Sequence, residues 1–148
     1  MLTIRSCTPA DHSQARTLLA AQLEEHDIPT DSLDPALEGA LSDPSRALVL
    51  LAEQDGQPIG VAYLAFTWTL EHGGKSAWLE ELYVAPPYRG TGVGTTLLQA
   101  ALSEATARGC LAMDLEVETA HARAANLYRR TGFHPHTRSR WVKKLNHE

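Results

Sequence analysis

Arg89-Gly90-Thr91-Gly92-Val93-Gly94 combines a forked cation with three glycines in six residues, and that combination suits an anion. Glycine lets the backbone take left-handed conformations and approach a ligand closely. A helix that begins in such a turn presents its first N–H groups and the positive end of its dipole. Phosphate or pyrophosphate is the anion this arrangement holds best, and Arg89 adds planar donors at its mouth. Two common nucleotide loops are excluded by spacing. A Walker A loop needs Lys and then Ser or Thr after its last glycine, whereas Gly94 is followed by Thr95-Thr96. The dinucleotide fingerprint Gly-x-Gly-x-x-Gly fails because its third position, counted from Gly90, falls on Thr95. Asp114 lies downstream where a ribose-binding acid would, but in the interior of an expected strand.

The elements around the loop decide what it can serve. Trp78-Leu79-Glu80-Glu81-Leu82-Tyr83-Val84 before it is rich in aromatic and branched residues and reads as a strand. Residues 95–108 after it lack Gly and Pro and read as a helix. Glu80 and Glu81 are consecutive on the strand, so their side chains should point to opposite faces. Carboxylates among apolar neighbours are costly to bury, so the pair is either a solvated edge acid beside a salt-bridged one or a pair that handles a proton. A bulge there would change which acid faces a cleft.

The rest of the chain reads as an α/β order, βααβββαβαββ, in one domain spanning 1–148. Residues 2–7 form a strand, and Thr8-Pro9-Ala10-Asp11 caps a helix to about 25 with Ala15, Leu18, Leu19 and Leu23 on its apolar face. A short helix over 34–42 precedes a hairpin of 46–53 and 59–68 across Asp55-Gly56. Gly73-Gly74 turns into the 78–84 strand, and Gly109 stops the helix after the loop. A strand over 111–117, a helix over 121–131 ended by Gly132, and strands over 133–138 and 140–145 complete the order.

Composition narrows the partners. A net charge of −5 argues against nucleic acid and is compatible with a cationic substrate. No apolar run is long enough to cross a membrane, and the polar start Met1–Ser6 does not resemble a secretory signal. Cys7 and Cys110, on separate strands, read as buried thiols of a cytoplasmic protein. The histidines show no metal-ligand spacing, so no metal is expected.

Arg89, Gly92 and Gly94, following Leu82-Tyr83-Val84-Ala85-Pro86, resemble the coenzyme A loop of the GNAT superfamily of N-acetyltransferases. Asn126-Leu127-Tyr128-Arg129-Arg130-Thr131-Gly132-Phe133 resembles that family's later helix. The resemblance implies a mixed, mostly antiparallel central sheet flanked by helices, with acetyl-CoA as co-substrate. It implies coenzyme contacts from Leu82, Tyr83 and Val84, whose strand would pair with the pantetheine arm and supply an oxyanion N–H. Arg89, Gly90, Thr91, Gly92, Val93, Gly94 and Thr95 would grip the pyrophosphate.

Moving an acetyl group from a thioester to an amine requires positioning, amine deprotonation, oxyanion stabilisation and thiolate protonation. An alkyl amine has a pKa of about 10.4, so a base must take its proton. We read Glu81 as that base and Glu80 as an amine-binding partner. Tyr128 would protonate the departing thiolate. The family often has Asn where this chain has His121. Asn126 is kept among the coenzyme contacts, although it lies on a different helical face from that missing Asn. The Glu80-Glu81 strand and the aromatics Tyr63, Phe66 and Trp68 are similar to the diamine and thialysine acetyltransferase branch, which implies a small cationic amine as acceptor. Glu24 and Glu25 are either a second cation-binding point or a solvated helix end. A non-catalytic acyl-CoA-binding or sensing module, and acetylation of a protein N-terminus or lysine, are the alternatives. Family members are commonly homodimers.

Overall fold

The computed structural model describes residues 1–118 and 120–145. The chain divides into two compact units, Met1–Glu116 and Val117–Glu148, which are treated in turn. In the first unit, five strands lie in sequence order: β1 (Leu2–Ser6), β2 (Ala47–Gln54), β3 (Gln57–Thr69), β4 (Gly74–Val84) and β5 (Met113–Leu115). The first four pair antiparallel, and β5 joins β4 in parallel. The β2–β3 turn takes positive φ at Asp55 (52°) and Gly56 (81°), as a tight hairpin turn requires.

Three helices cover this sheet: α1 (His12–Glu25), α2 (Leu33–Ser42) and α3 (Val93–Ala107). Pro9–Asp11 forms a single 3-10 turn ahead of α1, so the expected helix start is present but tighter than an α turn. Asp11 accepts from the Thr8 N–H at 2.9 Å and pairs with Arg5, which also bridges to Glu53. These bonds hold the Asp11 carboxyl down at about 2, the Arg5 guanidinium contributing most. The unbroken apolar run of β2 follows from burial on both faces. Val49 and Leu51 join Ala15, Leu18 and Leu19 of α1 and Leu37, Ala40 and Leu41 of α2 in one core. The alternate residues Leu48, Leu50 and Ala52 are buried on the face where α3 packs with Leu97, Leu98 and Ala101.

Gly60 marks how tightly that second layer is closed. A Cβ there would lie 3.0 Å from the Tyr83 carbonyl oxygen, and 3.4 Å from both Ala52 Cβ and Leu97 Cδ2. Gly60→Val should therefore destabilise the fold by about 1–3 kcal/mol through overpacking. A urea unfolding curve checks this as a lower midpoint with unchanged slope.

The second unit contains one helix among its described residues, α4 (Ala122–Arg130). The two closing strands expected over 133–138 and 140–145 are not formed: the described residues there carry no strand. Pro135 removes a ladder donor. Arg138, Arg140, Lys143 and Lys144 break the apolar alternation, and Trp141, Val142 and Leu145 are exposed. The sheet of the first unit has the expected mixed, mostly antiparallel character. No helix among the described residues is long and apolar enough to cross a membrane.

Candidate active site

The pairing of β4 with β3 slips by one residue at the acid pair. Tyr63 lies opposite Glu81, but Leu64 lies opposite Leu79, leaving Glu80 as the extra residue of a bulge. The slip changes which way the backbone points. Before it, the Ala77 N–H bonds the Ala112 carbonyl toward β5; after it, the Ala85 N–H bonds the Ile59 carbonyl toward β3. Alternation from Ala85 therefore turns the backbone groups of Tyr83 and Glu81 to β3, and those of Leu82 and Val84 to the opposite edge. β5 pairs only with Ala77, Trp78 and Leu79, so among the described strands that edge lacks a partner at Leu82 and Val84. Of the three residues expected to bind the coenzyme backbone, Leu82 and Val84 face the open edge, whereas Tyr83 is committed to the sheet.

The acids divide as a bulge allows. Glu80 is exposed and Glu81 is half-buried. Glu81 accepts a hydrogen bond at 2.9 Å from Gln22 Nε2, on α1. Burial pushes the Glu81 carboxyl upward, and the neighbouring charge of Glu80 adds to that. The Gln22 donor and His26 act in the opposite direction. Tyr63, across the ladder, has its phenol raised by burial first and then by Glu80. On balance the surroundings raise the Glu81 carboxyl above its ordinary value, burial contributing most.

Beyond β4, a 3-10 turn (Pro86–Tyr88) leads into the glycine loop. Gly90 and Gly92 take φ of 79° and 90°, conformations that disfavour most side chains. Thr91 Oγ1 donates to the Tyr88 carbonyl at 2.7 Å and ties the loop back on itself. Gly92 is the residue before α3, and the Thr96 N–H makes the bond to its carbonyl at 3.0 Å. The amides of Val93, Gly94 and Thr95 belong to the first turn, which has no acceptor within the helix. A Cβ on exposed Gly92 would meet nothing within 4 Å, so the cradle opens outward.

Arg89 is arranged differently from the simple expectation of a cation facing an anion. Its Nε donates to the Val84 carbonyl at 2.7 Å and its Nη2 pairs with Glu25 at 2.7 Å. The guanidinium also lies over the Tyr83 ring, 5.3 Å from the centroid. Arg89 thus braces the loop against β4 and the end of α1, and Glu25 is a partner of that brace. Neither cysteine of this unit is activated. Cys7 and Cys110 are free and partly buried; burial pushes the Cys7 thiol to about 12, far from a reactive thiolate. Among the described residues no cluster of His, Cys, Asp or Glu could hold a metal ion.

In the second unit, His121 caps α4 by accepting from the Ala124 N–H at Nδ1, 3.3 Å away. At the other end Gly132 takes φ of 99°, and the Phe133 N–H reaches back to the Tyr128 carbonyl at 3.0 Å. The rings of Tyr128 and Phe133 then meet edge to face at 5.7 Å. This closure is a glycine-terminated helix end with its accompanying apolar contact, and it holds the half-buried Tyr128 ring. Asn126 is exposed.

A bulged acid strand, a glycine loop opening a helix and a Tyr-bearing helix ended by Gly-Phe occur here in one order. The profile of the acetyltransferase (GNAT) family matches residues 12–133. The chain belongs to that family. Among relatives of this acetyltransferase, an aminoglycoside N(6')-acetyltransferase type 1 of Stenotrophomonas maltophilia is 34% identical over 136 residues, 88% of this chain and 85% of that protein. A thialysine N-epsilon-acetyltransferase of Mus musculus is 36% identical over 74 residues, covering 49% of this chain and 41% of its own. A solved structure of the aminoglycoside acetyltransferase AAC(6')-Iy, in complex with a CoA-containing bisubstrate analogue, shares the fold. Its TM-score is 0.85 at 21% identity, over 99% of both chains.

Gln22 carried no local sequence signal, and Glu25, expected as a second cation-binding point or a solvated helix end, instead holds Arg89. Gln22 and Glu25 lie one turn apart on α1, yet touch Glu81 and Arg89, 59 and 64 residues away. Their i, i+3 spacing places them on one helix side, but only the tertiary fold reveals what that side meets.

Proposed function

We propose that this acetyltransferase moves the acetyl group of acetyl-CoA to a primary amine by direct attack within a ternary complex. It would act as one catalytic domain over 1–148. The observation that carries the reading is the half-buried Glu81, held at a bulge directly before an open strand edge and an outward-facing helix start. The site suits acetyl-CoA on its donor chemistry. The amides of Val93, Gly94 and Thr95, with Gly90, Thr91 and Gly92, would receive the pyrophosphate. The edge at Leu82 and Val84, where the Val84 carbonyl already accepts from Arg89 Nε, would pair with an extended amide arm through the remaining backbone groups.

Glu81 takes a proton from the ammonium, directly or through water, and exposed Glu80 holds the acceptor's positive charge. The amine lone pair then forms the C–N bond at the thioester carbonyl carbon. The Leu82 N–H, aimed along the open edge, stabilises the negative charge on the carbonyl oxygen. As the C–S bond breaks, Tyr128 gives its phenolic proton to the departing sulfur, and the extra proton on the newly acylated nitrogen leaves through water to restore the phenol; a phenol of pKa about 10 is suited to a thiolate somewhat less basic than itself. Tyr128→Phe should lower kcat by about 10-fold or more, with little change in acetyl-CoA affinity. Steady-state rates across pH, beside a calorimetric titration, check this; an unchanged rate at every pH removes Tyr128 from the role.

The acceptor we favour is a small amine with more than one positive charge. Two carboxylates at the bulge support this, as do the aminoglycoside and thialysine acetyltransferases among the relatives. A panel of aminoglycosides, polyamines, amino acids and N-terminal peptides, compared by kcat/KM, tests it. Polycationic amines should exceed the singly charged ones and the peptides; a preference for peptides would replace this acceptor class with a protein terminus.

A further inference from the structure

We propose that Gln22 is a positioning residue for the acetyl-transfer reaction, fixing the Glu81 carboxylate and keeping it ionised at working pH. The inference rests on Glu81 being the base. Three observations lead to it. The Gln22 side chain reaches from α1 to donate Nε2–H to Glu81 Oε2 at 2.9 Å. Both side chains are partly buried, so this bond is shielded from competing water and worth more than an exposed one. Glu81 sits next to a bulge, where the ladder is locally interrupted, so its backbone alone constrains the side chain less than in a regular strand.

The geometry also assigns a direction to the effect. An amide N–H can only donate to a carboxylate oxygen, and that bond favours the charged form. Acting on Glu81 against it are burial and the adjacent Glu80 of β4. His26, the residue that follows α1, acts with Gln22. Tyr63 lies opposite on β3 and can donate only while its phenol is protonated. Removing the Gln22 donor leaves only His26, of those four neighbours, to act against burial and Glu80. The carboxyl must then protonate at a higher pH, and the base fails first on the acid side.

The same turn of α1 carries Glu25, which holds Arg89 of the glycine loop. One helix end therefore touches both the acid that would receive the amine's proton and the loop that would grip the donor. Gln22 is the member of that turn whose chemistry bears on the proton.

The test uses the full-length protein with acetyl-CoA and its best amine, comparing wild type with Gln22→Met, Gln22→Glu and Glu81→Gln. Gln22→Met keeps the side-chain length and removes the donor. It should move the acid limb of the kcat/KM profile up by roughly one pH unit, a loss approaching tenfold on that limb that shrinks as pH rises. Gln22→Glu, which adds a like charge, should move the limb further in the same direction. The Glu81 carboxyl resonance, followed by NMR with 13C-labelled glutamate, should titrate upward in parallel. An unmoved Glu81 titration in both Gln22 variants overturns the inference, even if the limb vanishes in Glu81→Gln. If Glu81→Gln retains the wild-type limb and rate, the base assignment itself falls, and the inference for the reaction falls with it. A loss uniform across pH, with Glu81 titrating normally, assigns Gln22 to packing and also overturns it.

Discussion

Gly92→Asp is expected to weaken acetyl-CoA binding by about 100-fold or more while leaving the fold intact. The two halves of that expectation come from different observations. Nothing lies within 4 Å of a Cβ at Gly92, so the added side chain meets no packed neighbour. The φ of 90° is a strain that Asp tolerates better than most residues. The position also precedes α3, where Asp is among the preferred capping residues. The substitution should therefore fold, with a far-UV spectrum like wild type. Binding suffers because the new carboxylate can occupy the amides of the first turn and sits where the pyrophosphate would be. Two like charges about 4 Å apart near a protein surface repel by about 4 kcal/mol, enough for two to three decades in affinity. Calorimetry with acetyl-CoA measures the loss. Gly92→Ala, which strains φ without adding charge, should lose much less.

Glu81→Gln should lower kcat by about 10²–10⁴-fold, the range typical of a missing general base, and should remove the acid limb of the pH profile. The sign follows from the environment. Burial and Glu80 both raise the Glu81 carboxyl above its ordinary value, and a base works only when ionised. Wild-type activity therefore falls as pH drops through a midpoint above the usual glutamate value of about 4.3. Gln at 81 has no such titration, so its residual rate should be flat through that region. The amide preserves shape, and it can still hydrogen-bond with Gln22, so the fold and the acetyl-CoA affinity should change little. A stopped assay of CoA release from pH 5 to 9, at saturating acetyl-CoA, reads both effects.

Much of the frame was legible because local chemistry specified it. The helix after the glycine loop is free of breakers and appears as α3, while Asp55-Gly56 turns the hairpin. The glycine at 132 closes the Tyr-bearing helix. The acid pair was legible as unusual, but strict strand alternation puts Glu80 and Glu81 on opposite faces, and only pairing with β3 reveals that one residue is inserted there. That insertion also turns the edge-facing role to Leu82 and Val84 and leaves Tyr83 in the sheet. Arg89 was legible as a cation, not as a brace, because its partners Glu25 and Val84 come together only in three dimensions. The closing strands were misread for a physical reason. Phe133-His134-Pro135-His136 alternates like a strand, but alternation cannot supply a ladder partner, and Pro135 withholds a donor.

Amine-dependent release of the CoA thiol decides whether this chain transfers acetyl from acetyl-CoA to an amine. Wild-type protein is incubated with acetyl-CoA and each amine of the panel, and thiol release is followed beside the mass of the acceptor. We expect release that saturates with at least one polycationic amine, stoichiometric with an acceptor one acetyl group heavier, and collapsing in Glu81→Gln. Tight acetyl-CoA binding with no amine-dependent release across the panel would contradict the claim and leave an acyl-CoA-binding module in its place.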